Sequence, residues 1–185
     1  MVTVAIRIIG EEGIDSLTHR RLAEQAGVPL GSTTYWFESR DEILTQALAH
    51  FAADEGAALE EQFTALVVAT VDQLVDVLVE HVASQDSAER WRAVAQYALF
   101  QEASRNPVLR DAVRAWTDQW VKHLTEQLVH ANVSDAEHRA RVIIALLDGL
   151  LVNQLADPVD RFGDDVVRPA LQTLTAGWSP ARRRR

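Results

Sequence analysis

The sequence predicts an all-α protein in two parts, a small three-helix head with a helix-turn-helix and a larger helical body. Three observations carry this. Apolar residues recur at helical spacing along almost the whole chain, and no convincing period-two run appears. Residues 17–37 read as a helix, a glycine-centred break and a second short helix. Helix-start signals punctuate the rest.

The elements follow in order. Residues 2–11 form a first helix that closes near Gly10 and Gly13, with Ala5, Ile6, Ile9 and Ile14 as candidate head core. In the motif, Leu22, Ala23 and Ala26 share one stripe, with Arg20, Arg21 and Glu24 mostly off it. Gly27 sits where the first motif helix stops, since glycine accepts a left-handed C-cap. Pro29 suits the first turn of the next helix. Ser39-Arg40-Asp41-Glu42 has the spacing of a capping box and opens a helix to about residue 60, carrying Ile43, Leu44, Ala47, Leu48 and Phe51. Residues 66–82 form the next helix, and Gln85-Asp86-Ser87 marks a break. Residues 88–104 follow, and Asn106-Pro107 opens a helix to about residue 130. Ser134-Asp135-Ala136-Glu137 is a second expected capping box, opening a strongly apolar helix to about residue 156 that Asp157-Pro158 ends. A last helix at about 164–177 precedes a basic tail, residues 182–185.

A helix-turn-helix of this outline lays its second helix in the DNA major groove. Thr18, Ser32, Thr33, Tyr35 and Arg40 are the candidate phosphate partners, with His19 beside them. Arg20, Leu30 and Thr34 are placed to reach bases, and Leu30 or Thr34 can meet a thymine methyl. Ala23, Val28 and Phe37 are assigned to the core.

Thr18, Ala26-Gly27-Val28, Gly31, Tyr35-Trp36-Phe37, Ser39-Arg40 and Asp41-Glu42 together resemble the DNA-binding domain of the tetracycline-repressor (TetR) family. The resemblance covers about the first quarter of the chain. It departs at Pro29 and Leu30, and at Thr34, which takes the family's usual tyrosine position, so no base preference is carried over. The resemblance implies three helices in a DNA-binding domain at about 1–45. It also implies six in a ligand-binding and dimerising body at 46–181, whose last two helices form the dimer interface. The implied function is ligand-responsive transcriptional regulation, most simply repression from a palindromic double-stranded DNA operator that a small-molecule effector relieves.

Composition sets limits. The chain has 185 residues and 48% hydrophobic content, enough for a sizeable core without staples. It has no cysteine, which excludes disulfides, thiolate metal sites and cysteine nucleophiles and is compatible with a reducing cytoplasm. Residues 1–10 are apolar but short and interrupted by Arg7, unlike a signal peptide, and no apolar run reaches the length of a membrane span. A cytoplasmic protein without membrane association is expected. The net charge is −9, with −3 on residues 1–45, −10 on residues 46–181 and +4 on the tail. The acid therefore lies away from the motif, where a local basic surface can still meet DNA.

In the body, Val142, Leu146, Gly149, Leu150 and Asn153 form one stripe of the apolar helix, and Ile143, Ile144, Leu147, Leu151 and Leu155 another. A helix apolar on two sides buries both. Val142, Leu146, Gly149 and Leu150, with Val167, Leu171 and Leu174 of the last helix, are the expected homodimer interface, and Gly149 suggests close helix approach. Trp91, Tyr97, Phe100, Trp116 and Trp120, with Asn153 among the polar groups, are the expected effector-binding residues. His123, Glu126 and His130 share a helix face but read as exposed polar spacing, and the lone Asp135–His138 pair does not make a di-metal bundle. No cofactor, metal or catalytic residue is expected. The competing reading is a helical-bundle small-molecule-binding protein or enzyme without DNA binding.

Overall fold

A computed structural model describes residues 1–65, 69–85 and 90–178. The described residues form nine α-helices and no strand: α1 Val2–Glu12, α2 His19–Ala26, α3 Leu30–Trp36, α4 Arg40–Ala65, α5 Val71–Gln85, α6 Arg90–Ala103, α7 Pro107–His130, α8 Ala136–Ala156 and α9 Arg168–Thr175. A 3-10 turn, Ile14–Ser16, follows α1, and a π-helical turn, Gly163–Val167, runs directly into α9.

Most caps are those the sequence implies. The Ser39 hydroxyl accepts from Glu42 N–H at 3.2 Å, and the Glu42 carboxylate reaches back to Glu38 N–H at 2.6 Å. The Asn106 side chain accepts from Val108 N–H at 3.0 Å ahead of Pro107. The helix expected from residue 66 begins at Val71. There Thr70 accepts from Gln73 N–H and the Gln73 amide oxygen accepts from Ala69 N–H, a Thr-x-x-Gln box that sets the helix start. Leu66 and Val67, the break at Asp86 and Ser87, and tail residues 182–185 lie outside the described residues.

One cap differs. Asp135, not Ser134, precedes α8, at φ 51° and with no side-chain cap. Asn132 is also left-handed, at φ 58°. Capping wants an extended backbone at the N-cap, and this tight entry does not supply it. Glu137 instead pairs with Arg141 at 3.1 Å.

The chain divides into two compact units, residues 1–55 with 89–117, and residues 56–88 with 118–185. The first therefore holds more than the head read at 1–45. Its buried side chains include Ile6, Ile8 and Ile9 of α1, Leu22 of α2, Ile43, Leu44, Leu48 and Phe51 of α4, Leu99 of α6 and Trp116 of α7. Helix α1 packs on α6 at very close range: a Cβ built on Gly10 would lie 2.1 Å from the Trp91 carbonyl oxygen. Arg7 stands over the Trp91 ring at 5.2 Å.

The second unit has one apolar core drawn from α5, α7, α8, the π-turn and α9, including Leu74, Leu78, Leu124, Leu128, Ile143, Phe162 and Leu171. Gly163 lets the π-turn approach α5, with Ala83 Cβ at 3.3 Å from a built Cβ. Gln154, buried on α8, donates to Val159 O at 3.1 Å and accepts from Val159 N–H at 3.0 Å, closing the turn after the helix. His81 of α5 is buried edge-to-face against Trp120, with ring centroids 5.1 Å apart. Burial pushes its imidazole down to about 4.

Two stability outcomes follow. Gly10→Val should force α1 and α6 apart and lower unfolding free energy by about 1–3 kcal/mol, read as a lower urea midpoint. His81 folds neutral, whereas the unfolded chain takes up a proton near pH 6.5. Stability from this site is therefore whole above pH 6.5, declines as pH falls toward 4 and levels below it. Between pH 7.5 and 5 the wild type should lose about 2 kcal/mol that His81→Phe does not lose, measured by urea titration at both pH values.

Candidate nucleic-acid interface

The geometry of the motif begins with its caps. Thr18, extended at φ −133°, accepts from Arg21 N–H at 3.1 Å and starts α2. Gly27 ends it at φ 68°, ψ 29°, and Val28 N–H bonds Ala23 O at 3.0 Å. Only the left-handed region closes the helix this way, and a Cβ there is strained. Pro29 stands just before α3, at φ −59°. Thr33 joins the two helices: its hydroxyl donates to Leu30 O at 2.9 Å, with His19 O at 3.3 Å.

This arrangement divides the expected DNA-contacting residues. Thr33 is fully buried, so its hydroxyl supports the helix pair and is not offered to phosphate. Thr18 serves as a cap. Arg40 donates from Nε to Leu17 O at 3.0 Å and from Nη2 to Ile14 O at 2.6 Å, which clamps the start of α4 to the turn before α2. Arg21 forks onto Glu12, at 2.9 and 2.7 Å, and also meets Glu24 at 3.1 Å. The Glu12 hydrogen bond raises the Arg21 pKa, and the same bond holds the Glu12 carboxyl below its usual range. His19 is half-buried, and its Nδ1 has no hydrogen-bond partner.

The remainder faces solvent. Arg20 is exposed, with no hydrogen bond or ion pair among the described residues. On α3, Leu30 is 51% exposed, Tyr35 82% and Trp36 62%. Thr34 is exposed, and its hydroxyl donates to Gly31 O at 3.2 Å. Ser32 is half-buried. Trp36 was not among the expected contacts. It stands edge-to-face with Tyr35, centroids 5.6 Å apart, while Phe37 turns inward.

The expected effector residues fall in different units. In the first, Trp116 is buried, stacked on Phe51 at 5.8 Å and edge-on to Phe100 at 5.0 Å. Tyr97 meets Phe100 at 6.2 Å. Trp91 packs under Arg7 instead. In the second, Trp120 pairs with His81, and Asn153 is exposed on α8. Two clefts of about 410 Å³ in the second unit are lined by other residues, one including Asp72, Gln172 and Trp178, the other Asp76, Glu80, Arg161 and Arg168.

The expected interface residues all lie in the second unit. Val167 and Leu171 are fully buried in its own core, so they support the surface instead of forming it. Val142, Leu146, Leu150 and Leu174 are half-buried, and Gly149 is exposed with nothing within 4 Å of a built Cβ. The close approach expected at Gly149 is therefore not made to any described part of its own chain.

Comparison with known proteins identifies the family. The family described as tetracyclin repressor-like, C-terminal domain, matches residues 69–177. The chain is 26% identical over 171 residues to the nicotine-responsive transcriptional repressor HdnoR of Paenarthrobacter nicotinovorans, covering 86% of this chain and 84% of that protein. Among solved structures, it is 30% identical to the multidrug binding protein EbrR complexed with ethidium, covering 94% and 95% of the two chains at a TM-score of 0.75. A transcriptional regulator of Streptomyces coelicolor, SCO7518, is 27% identical at the same coverage and TM-score. The chain belongs to the tetracycline-repressor (TetR) family, whose members are ligand-responsive, DNA-binding transcriptional regulators and not enzymes.

Proposed function

We propose that this protein represses transcription as a homodimer whose two heads occupy successive major grooves of a palindromic operator, and that a small molecule releases it. The observation that carries the DNA reading is the surface of α3. A seven-residue helix exposes Leu30, Thr34, Tyr35 and Trp36 together. Such a surface on a monomeric head is costly in water and suits a groove.

Arg20, Leu30, Ser32, Thr34, Tyr35 and Trp36 face the duplex in this reading. Tyr35 and Trp36 supply neutral donors to phosphate. Thr18, Thr33 and Arg40 hold the motif, with the remaining Nη1 of Arg40 free to meet a phosphate, and His19 orients the start of α2.

The homodimer reading rests on α8. Ala145, Gly149, Val152 and Ala156 are exposed at spacing i, i+4, i+7 and i+11, an uncharged stripe of small residues flanked by half-buried Val142, Leu146 and Leu150. Small side chains let two helices approach closely, and a two-fold pair buries the same stripe twice. Leu174 of α9 extends this surface.

The effector reading draws on the multidrug-binding relative and on the charge of the body. Ethidium is a planar aromatic cation, and residues 46–181 carry −10. Half-buried Tyr97 and Phe100 offer ring surface for such a molecule; Trp91, Trp116, Trp120 and Asn153 complete the candidate set. The effector acts only through its differential affinity for released and operator-bound forms.

Three outcomes test this. Arg20→Ala should weaken operator binding 5- to 100-fold, about 1–3 kcal/mol, with an unchanged urea midpoint, whereas Arg40→Ala should lower the midpoint as well. Equal affinity of Arg20→Ala and wild type in a gel-shift titration would defeat the assignment. An aromatic cation that quenches tryptophan emission of the protein alone should also raise the operator dissociation constant, and Tyr97→Ala/Phe100→Ala should blunt both effects. Full potency in that double variant would place the effector elsewhere. A wild-type protein that sediments as a monomer at micromolar concentration would overturn the dimer.

A further inference from the structure

The groove-facing chemistry of this head is unusually narrow. Helix α3 is Leu-Gly-Ser-Thr-Thr-Tyr-Trp: it has no arginine, lysine, histidine, asparagine or glutamine. Those are the side chains that fork onto guanine or adenine edges. Of its threonine hydroxyls, that of Thr33 is buried and bonded to Leu30 O, and that of Thr34 is bonded to Gly31 O. Of the three motif arginines, Arg21 is held by Glu12 and Glu24, and Arg40 by the Ile14 and Leu17 carbonyls. Arg20 is the one guanidinium in the motif without a partner among the described residues.

Resting on the DNA-binding reading above, we infer that each operator half-site is read mainly through thymine methyl groups under Leu30 and Thr34, with a single G·C pair read by Arg20. Leu30 and the Cγ2 methyl of Thr34 give apolar contact to a C5-methyl group. The same surface works against G·C pairs at those positions. Guanine N7 and O6 would lose water and find no donor on Leu30, and an unsatisfied buried acceptor is costly. Selectivity at these positions thus comes from exclusion as much as attraction.

The test is selection of binders from a random 30-base-pair duplex pool with the full-length protein, followed by deoxyuridine scanning of a recovered duplex. Deoxyuridine removes only the C5 methyl and leaves base pairing intact. The expected half-site has T·A pairs at the positions under Leu30 and Thr34 and one invariant G·C pair. Replacing either thymine by deoxyuridine should weaken binding about 3- to 5-fold, the worth of one buried methyl. Leu30→Ala, at an exposed position, should bind more weakly and lose sensitivity to deoxyuridine at its own site. Arg20→Ala should lose preference only at the G·C pair. Two or more invariant G·C pairs under α3, or deoxyuridine duplexes bound as tightly as thymine ones, would overturn methyl readout and leave DNA binding standing. A pool with no enriched duplex would instead remove the DNA-binding reading, and this inference with it.

Discussion

The presentation of α3 depends on one backbone geometry, the left-handed conformation of Gly27. At φ 68° the chain reverses within one residue, so only three residues separate the end of α2 from the start of α3. The turn brings Thr33 under the His19 carbonyl, where a hydroxyl does the work of a backbone bond between the helices. A side chain at Gly27 meets open space but would strain that reversal, because the left-handed conformation disfavours a Cβ. The head is small, so few apolar contacts are available to resist such a change.

Arg40 makes the arrangement rigid from the other side. Its guanidinium reaches carbonyls 23 and 26 residues back in the chain. Charge-assisted bonds to backbone carbonyls are strong and directional. With Arg21 forked onto Glu12, two of the three motif arginines serve the architecture of an acidic head. In the proposed reading, the α3 surface offered to DNA is uncharged, with Arg20 of α2 as its cation. If DNA is met this way, binding should rely less on counterion release than in a head that meets the backbone with many cations.

The same economy of contact recurs where α1 meets α6. Gly10 allows the helix backbones to meet at the Trp91 carbonyl, and Arg7 covers the indole. Through this contact α6 belongs to the compact unit that carries the recognition helix. In the second unit, α8 is apolar on two sides for two reasons. Ile143 and Leu147 enter the unit's own core, whereas Gly149 and its small neighbours have no cover within the described chain. An exposed mid-helix glycine costs about 1 kcal/mol relative to alanine, a penalty that a closely approaching partner helix would offset.

Local chemistry was legible in the sequence, because caps, helical periodicity and turn residues act over three or four positions. The order of the helices, the Gly27 break, the Ser39 box, the Asn106-Pro107 start and the end of α8 could all be read this way. The Ser134 box failed because its spacing cannot reveal that Asp135 enters the helix left-handed. Periodicity marks a residue as apolar but not which surface it meets, so Val167 and Leu171 looked like interface and are core. Residue type likewise left open which arginine was free. Arg20, Arg21 and Arg40 are equal as letters, and only partners brought near by folding separate them. Contacts between residues 9 to 26 positions apart, Arg21 with Glu12 and Arg40 with two carbonyls, exist only in the tertiary structure, and they decided which side chains this head has left to offer DNA.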